Sequence, residues 1–277
     1  MGVPGPRLTG NAHPFSRIET LDTAESAGHN IGVVPLLWIA LFGPSQASPA
    51  PDLQCGKGAP LVIETEVLPG VADGRSLILW MCSPVKHEDE IYDHLYTCPD
   101  YTRGHFYQGE TWLSLIDQKT THVINTIPIH SDWTNEKTFD IPYRIQRFFY
   151  AVQGPLNKYG EGKPKILSLK DYNGDGEALE FALFEAENCT IVKTSLYGYS
   201  RSRDRVIQYP LHLVEREGAT VTVRDSPWLD RFMLQKPVGP GHWRWQYQYH
   251  VGGLTHFDIH YDRDKEMFEG EIDIDQP

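Results

Sequence analysis

The sequence predicts an all-β fold built from antiparallel hairpins, and three observations carry that prediction. Beyond Pro51, short apolar runs recur between Gly, Pro, Asn and Asp turn signals. Almost no stretch sustains the 3.6-residue spacing of an amphipathic helix. Several runs instead alternate apolar and polar residues strictly, most clearly 242–251 and 255–262. A β-sandwich or an irregular propeller-like meander accommodates such a pattern.

Taken in order, the strands are expected over 61–67, 76–81, 111–116, 122–129, 165–169, 180–184, 190–196, 206–214, 220–223, 242–251, 255–261 and 267–274. Residues 111–127 form a hairpin whose polar turn is Gln118-Lys119-Thr120-Thr121. Residues 143–150 read either as the one helix or as a further strand. No repeat of fixed period is visible, which counts against a regular propeller. Residues 51–277 are expected as a single β-rich domain. The Pro- and Gly-containing stretch 154–164 is its candidate internal boundary.

The last hairpin has a definite expected register. A two-residue Gly252-Gly253 turn would oppose Tyr249 to His256 and mix the two faces. A three-residue turn through Leu254 opposes Tyr249 to Phe257, Tyr247 to Ile259 and Trp245 to Tyr261, giving a continuous aromatic face read as core. The polar face then opposes His250 to His256, Gln248 to Asp258, Gln246 to His260 and Arg244 to Asp262. His250, His256 and His260 there are candidate transition-metal or polar-ligand residues, against the plainer reading of a solvated sheet face.

The most informative segment is Asp171-Tyr-Asn173-Gly-Asp175-Gly-Glu177-Ala-Leu-Glu180, set between two apolar runs. Asp171, Asn173 and Asp175 present oxygens at alternate positions, and Gly174 and Gly176 permit the tight turning that lets them converge on a hard cation. The segment resembles the calcium-binding turns of FG-GAP and VCBS-type repeats and, more distantly, EF-hand and dockerin loops. The resemblance spans about a dozen residues and implies calcium as cofactor. It implies side-chain oxygens from Asp171, Asn173 and Asp175, and the backbone carbonyl of Glu177. Two positions depart from those patterns. Ala182 stands where an EF-hand carries its bidentate Glu, and Leu179 stands at the ninth position, so Glu180 would complete the set only with a backbone bulge.

Charge narrows the partners. The chain of 277 residues has a formal net charge of −12. Residues 1–50 carry only Arg7 and Arg17 against Glu19, Asp22 and Glu25, so nearly all the excess lies beyond them. That balance disfavours a phosphate backbone, and no nucleic-acid partner is expected. Residues 31–42 are an apolar run followed by small residues. The run is too short to span a bilayer and suits the apolar region of a signal peptide in a leader of residues 1–50. The mature chain is thus expected to be secreted or periplasmic, with no stable membrane span. Cys55 lacks the small preceding residue of a lipid-anchored cysteine. Cys55, Cys82, Cys98 and Cys189 suit two disulfides and allow three pairings. Cys82 with Cys98 is favoured, because the two bracket a polar loop.

Catalytic patterns are sparse. Gly160-Glu-Gly-Lys163-Pro164 lacks the hydroxyl residue and spacing of a phosphate loop. His256-Phe-Asp-Ile-His260 has no Glu beside its first His, and no Gly-x-Ser-x-Gly elbow occurs. Glu88, Asp89 and Glu90 with His87 and His94 read as a solvated loop rather than a glycosidase pair. Arg201, Arg203, Asp204 and Arg205 read as ion-paired surface. The expectation is an exported, calcium-stabilised binding or structural module with an extracytoplasmic ligand, carbohydrate or protein. The alternative is a secreted hydrolase acting on carbohydrate or another polymer.

Overall fold

The computed structural model describes residues 51–72, 74–87, 106–130, 138–141, 152–153, 163–186, 192–226, 228–229, 236–248 and 253–275. Residues 48–277 form one compact unit. The expected all-β fold forms: no described residue is helical, and antiparallel pairing dominates. Among the described residues the sheets close into neither a barrel nor a propeller.

The first sheet runs in sequence order through β1 (Pro60–Val67), β2 (Arg75–His87), β3 (Phe106–Asp117) and β4 (Val123–Ile129). Beside them β5 (Phe139–Ile141) pairs with residues 107–109 of β3. The expected turn after β3 is built by Asp117, whose carboxylate accepts the amides of Lys119 and Thr120, both at 2.9 Å. A two-stranded ribbon, β6 (Val152–Gln153) and β7 (Lys163–Pro164), follows. The second sheet starts with β8 (Glu180–Ala186), β9 (Val192–Ser200) and β10 (Arg205–Gln208). The third sheet opens with the hairpin β11 (Leu211–Glu217) and β12 (Thr220–Ser226). The chain then returns briefly to β9 as β13 (Trp228–Leu229). It completes the third sheet with β14 (His242–Gln248), β15 (Leu254–Asp262) and β16 (Met267–Ile274), in the order β12-β11-β16-β15-β14. The β11–β16 contact is parallel.

Three expectations about strands and the disulfide change, each for a physical reason. The run 206–214 divides at Tyr209-Pro210, because proline has no N–H to continue a ladder. Chain before the break pairs with β9, and chain after it pairs with β16. Residues 165–169 are not a strand. The amides of Ile166 and Leu167 donate instead to the Glu64 carboxylate at 2.8 and 3.1 Å. A bulge between Val62 and Glu64 in β1 re-aims Glu64 toward them. The disulfide expected between Cys82 and Cys98 is also corrected, since Cys82 bonds to Cys55, with Cα atoms 5.6 Å apart. The polar loop is therefore not stapled at its base by Cys82. Cys98, Cys189 and residues 143–150 lie outside the described residues, as does most of 154–164.

The corrected disulfide has a packing rationale. The segment around Leu53 and Cys55 lies on the outer face of the first sheet, over Ile78, Trp80 and Ile116 with Trp112 and Val123 alongside. Trp80 and Trp112 stack with centroids 6.2 Å apart, and Trp80 donates to Ser114 Oγ at 2.8 Å. The inner face contributes Leu77, Leu79, Met81, Leu113 and Leu115 to a larger core shared by all three sheets. Strands β8 and β9 are buried on both faces, with Phe181, Leu183, Leu196 and Tyr197 at most 3% exposed. That explains the unbroken apolar run 181–184 within β8.

Polar contacts join the sheets. The Asn125 side chain on β4 behaves as a peptide group toward β10, donating to Val206 O at 2.9 Å and accepting from Val206 N at 3.0 Å. Arg75 on β2 binds Asp117 at 2.7 Å and reaches Asp204 at 3.0 Å in the turn after β9.

Candidate functional site

The acidic loop begins where the backbones of Lys170 and Glu180 exchange hydrogen bonds of 2.7 and 3.1 Å. Between them the chain turns through Gly174 and Gly176, with φ of +74° and +95°, which side-chain-bearing residues adopt only under strain. Each polar side chain first satisfies the loop's own amides. Asp171 accepts from Gly174 at 2.7 Å and Gly176 at 2.9 Å. Asn173 Oδ1 accepts from Asp175 and Asp175 Oδ1 from Glu177, both at 2.8 Å. These local side-chain to backbone bonds are why Asp and Asn suit the alternate positions.

Glu180 organises the interior of the loop. It opens β8 and is fully buried. Its Oε2 accepts the Tyr172 amide at 3.0 Å and the Asn173 amide at 3.4 Å. Asn173 Nδ2 donates both to Glu180 Oε1 and to Asp175 Oδ2, each at 3.0 Å, and so bridges the two carboxylates. Burial pushes the Glu180 carboxyl up to about 8, with the charges of Asp175 and Asp171 adding to it against the amide hydrogen bonds.

Glu177 stands apart from this group. Its carboxylate pairs with Arg201, which also donates to Gly70 O at 3.1 Å, while its carbonyl accepts the Leu179 amide at 3.1 Å. The structure therefore links Asn173, Asp175 and Glu180 directly and holds Asp171 on the loop amides. It turns the Glu177 side chain elsewhere. Among the described residues, no three His, Cys, Asp or Glu side chains gather at metal-ligating separation.

Distant residues complete the surroundings. Tyr209, at the break between β10 and β11, bonds Asn173 through its side chain, and burial raises its phenol strongly. Burial likewise pushes Tyr172 and Tyr261 up to about 12, and Glu180 adds to both. Tyr172 lies against Trp243 with centroids 6.4 Å apart. Arg263 donates to Gly174 O at 3.0 Å. A Cβ on Gly174 would clash with the backbone of Pro240 and Gly241, so the turn is seated directly on the approach to β14. The composition of the loop signals only its own residues. Tyr209, Gly241, Tyr261 and Arg263 come from the second and third sheets and carry no local signal of their convergence.

The polar face of the last hairpin is corrected in register. The observed pairs are Gln246 with His256, Arg244 with Asp258 and His242 with His260, so each β15 residue meets a β14 partner four residues earlier than expected. The even displacement preserves the faces. Trp243, Trp245 and Phe257 still pack toward the core, as expected. His250 lies outside the described residues. His256 contacts Gln246 and Asp275, both at 3.1 Å, and His260 approaches Glu269 at 4.0 Å. Arg201, Arg203 and Asp204 are ion-paired as expected, with Glu177, Glu266 and Arg75. Glu88, Asp89, Glu90 and His94 fall outside the described residues.

No protein-family model, curated protein or solved structure matches the chain.

Proposed function

We propose that this chain is an extracytoplasmic β-rich binding or structural module, stabilised by calcium at residues 171–180, with a carbohydrate or protein as ligand. The Cys55–Cys82 bond supports an oxidising compartment. The observation that carries the calcium reading is the fully buried Glu180 carboxylate beside Asp175 and Asp171, whose charges raise its proton affinity. Carboxylate and amide oxygens are the donors a hard cation takes.

Asp171, Asn173 and Asp175 would hold the ion through side-chain oxygens, with the Glu177 carbonyl and the Glu180 carboxylate completing the set. Bound calcium supplies the positive charge that lets the acids share one small volume. Asn173 is the residue that adjusts. Its Nδ2 now faces Asp175 and Glu180, and a half-turn of the amide presents Oδ1 to them instead. Arg201 keeps the Glu177 carboxylate out of the way, leaving only its backbone for the ion.

Thermal unfolding with excess calcium and with chelator tests the reading. At 100 dissociation constants the ion adds roughly 2.7 kcal/mol. Asp171→Ala and Asp175→Ala should each remove most of that increment. Identical midpoints with and without calcium, together with no heat of calcium binding, would overturn it.

A further inference from the structure

One row crosses four strands of the third sheet: His242 on β14, His260 on β15, Glu269 on β16 and His212 on β11, each opposite the next. It lies on the face away from Trp243, Ile259 and Phe268, which are buried in the core. The His242 and His260 rings meet edge to face with centroids 6.3 Å apart. His260 Nε2 stands 4.0 Å from Glu269 Oε2. That is too long for a hydrogen bond, and a small side-chain rotation closes it to the ~3.3 Å between two tetrahedral ligands of an ion at bonds of ~2 Å. The side chains of His242, His260 and Glu269 are 34%, 55% and 31% exposed, so an ion reaches them from solvent without opening the fold.

We propose that this row is a transition-metal site taking a zinc-class divalent cation on His242, His260 and Glu269, with His212 beside Glu269 as a further imidazole. Imidazole nitrogen with one carboxylate is the donor set of zinc, copper and nickel, and differs from the all-oxygen loop at 171–180. His242 is the ligand that moves. Its Nε2 now contacts Asp258 Oδ1 at 2.6 Å, while Glu269 is held through Oε1 by Lys265 and keeps Oε2 toward His260. As they stand, no three side chains of the row are at ligating distance. Turning His242 toward His260 does not strand Asp258, because Arg244 holds the Asp258 Oδ2 oxygen at 2.8 and 2.7 Å. The exchanged contact is partly exposed and weak compared with coordination. The three backbones are fixed in register by the sheet, so only side-chain torsions have to be ordered.

The test is titration calorimetry of the full folded chain with zinc at neutral pH, in saturating calcium so that the 171–180 loop is not in play. One zinc should bind per chain. His242→Ala, His260→Ala and the milder His260→Gln should each weaken binding at least tenfold, with unchanged circular dichroism. Glu269→Gln should weaken it less. His122→Ala, at the exposed turn after β3, and Asp171→Ala should leave zinc affinity unchanged. Substoichiometric uptake would overturn the proposal. So would wild-type affinity in the His242 and His260 variants, or a loss in His122→Ala equal to theirs.

Discussion

Glu180 is a carboxylate that the fold keeps from water, and its titration makes a signed prediction. Its folded value stands near 8 against an ordinary 4.5, because burial dominates and Asp175 and Asp171 reinforce it. Between those values the folded chain keeps a proton that the unfolded chain has released, so stability falls as pH rises through that window. In chelator, the unfolding midpoint should therefore decline from about pH 5 to about pH 8. Glu180→Gln, which cannot ionise, should flatten that decline by an amount on the order of a few kcal/mol. Equal slopes for both chains would show that Glu180 does not titrate in this range. Occupation of the loop by calcium should act in the same direction as the substitution, since an ion favours the ionised carboxylate. The sequence made Asp171, Asn173 and Asp175 legible, because their type and spacing are a local code. Burial of Glu180 was not legible, since it is a product of tertiary packing that a local pattern does not encode.

At the level of strands, legibility followed the same division. Strand β16 falls at the expected residues because its pattern, Met267–Ile274, is bounded by turn residues and paired on both sides. The last hairpin kept its faces but not its register, because alternation fixes parity and leaves even displacements open. The apolar run 206–214 reads as one strand by pattern, but Pro210 within it has no N–H for a ladder, and the pairing changes partner there. The non-strand at 165–169 had no sequence signal, since its amides bond to a carboxylate a hundred residues earlier. That contact carries a prediction. Glu64→Ala leaves the Ile166 and Leu167 amides without their acceptor in a buried position, and should cost about 2–4 kcal/mol in urea unfolding. Glu64→Gln retains one amide acceptor and should cost less. An unchanged midpoint in both variants would mean that β1 does not hold this segment.

For the molecule as a whole, three sheets share one core, and their joints are polar: Asn125 to β10, Arg75 to the turn after β9, and the acidic loop to the approach to β14. The all-β class was legible because hydrophobic patterning is a bulk property. The sheet order was not, since pairing of β11 with β16 joins residues more than fifty apart. That parallel contact governs the order in which the molecule can be assembled. Strand β16 lies between the β11–β12 and β14–β15 hairpins, so during synthesis both must wait, one edge of each unpaired, until residues 267–274 leave the ribosome. Long-range closure of this kind is slow, and apolar residues of β11 and β15 stay open to wrong partners in the interval. A chain ending at Lys265 should therefore retain the pairing of β2 with β3 but lose amide protection throughout β11 and β15, and it should aggregate at refolding concentrations where the full chain does not. Native exchange rates in those two strands of the shortened chain would show that each hairpin completes itself, and that the last strand only caps a sheet already formed.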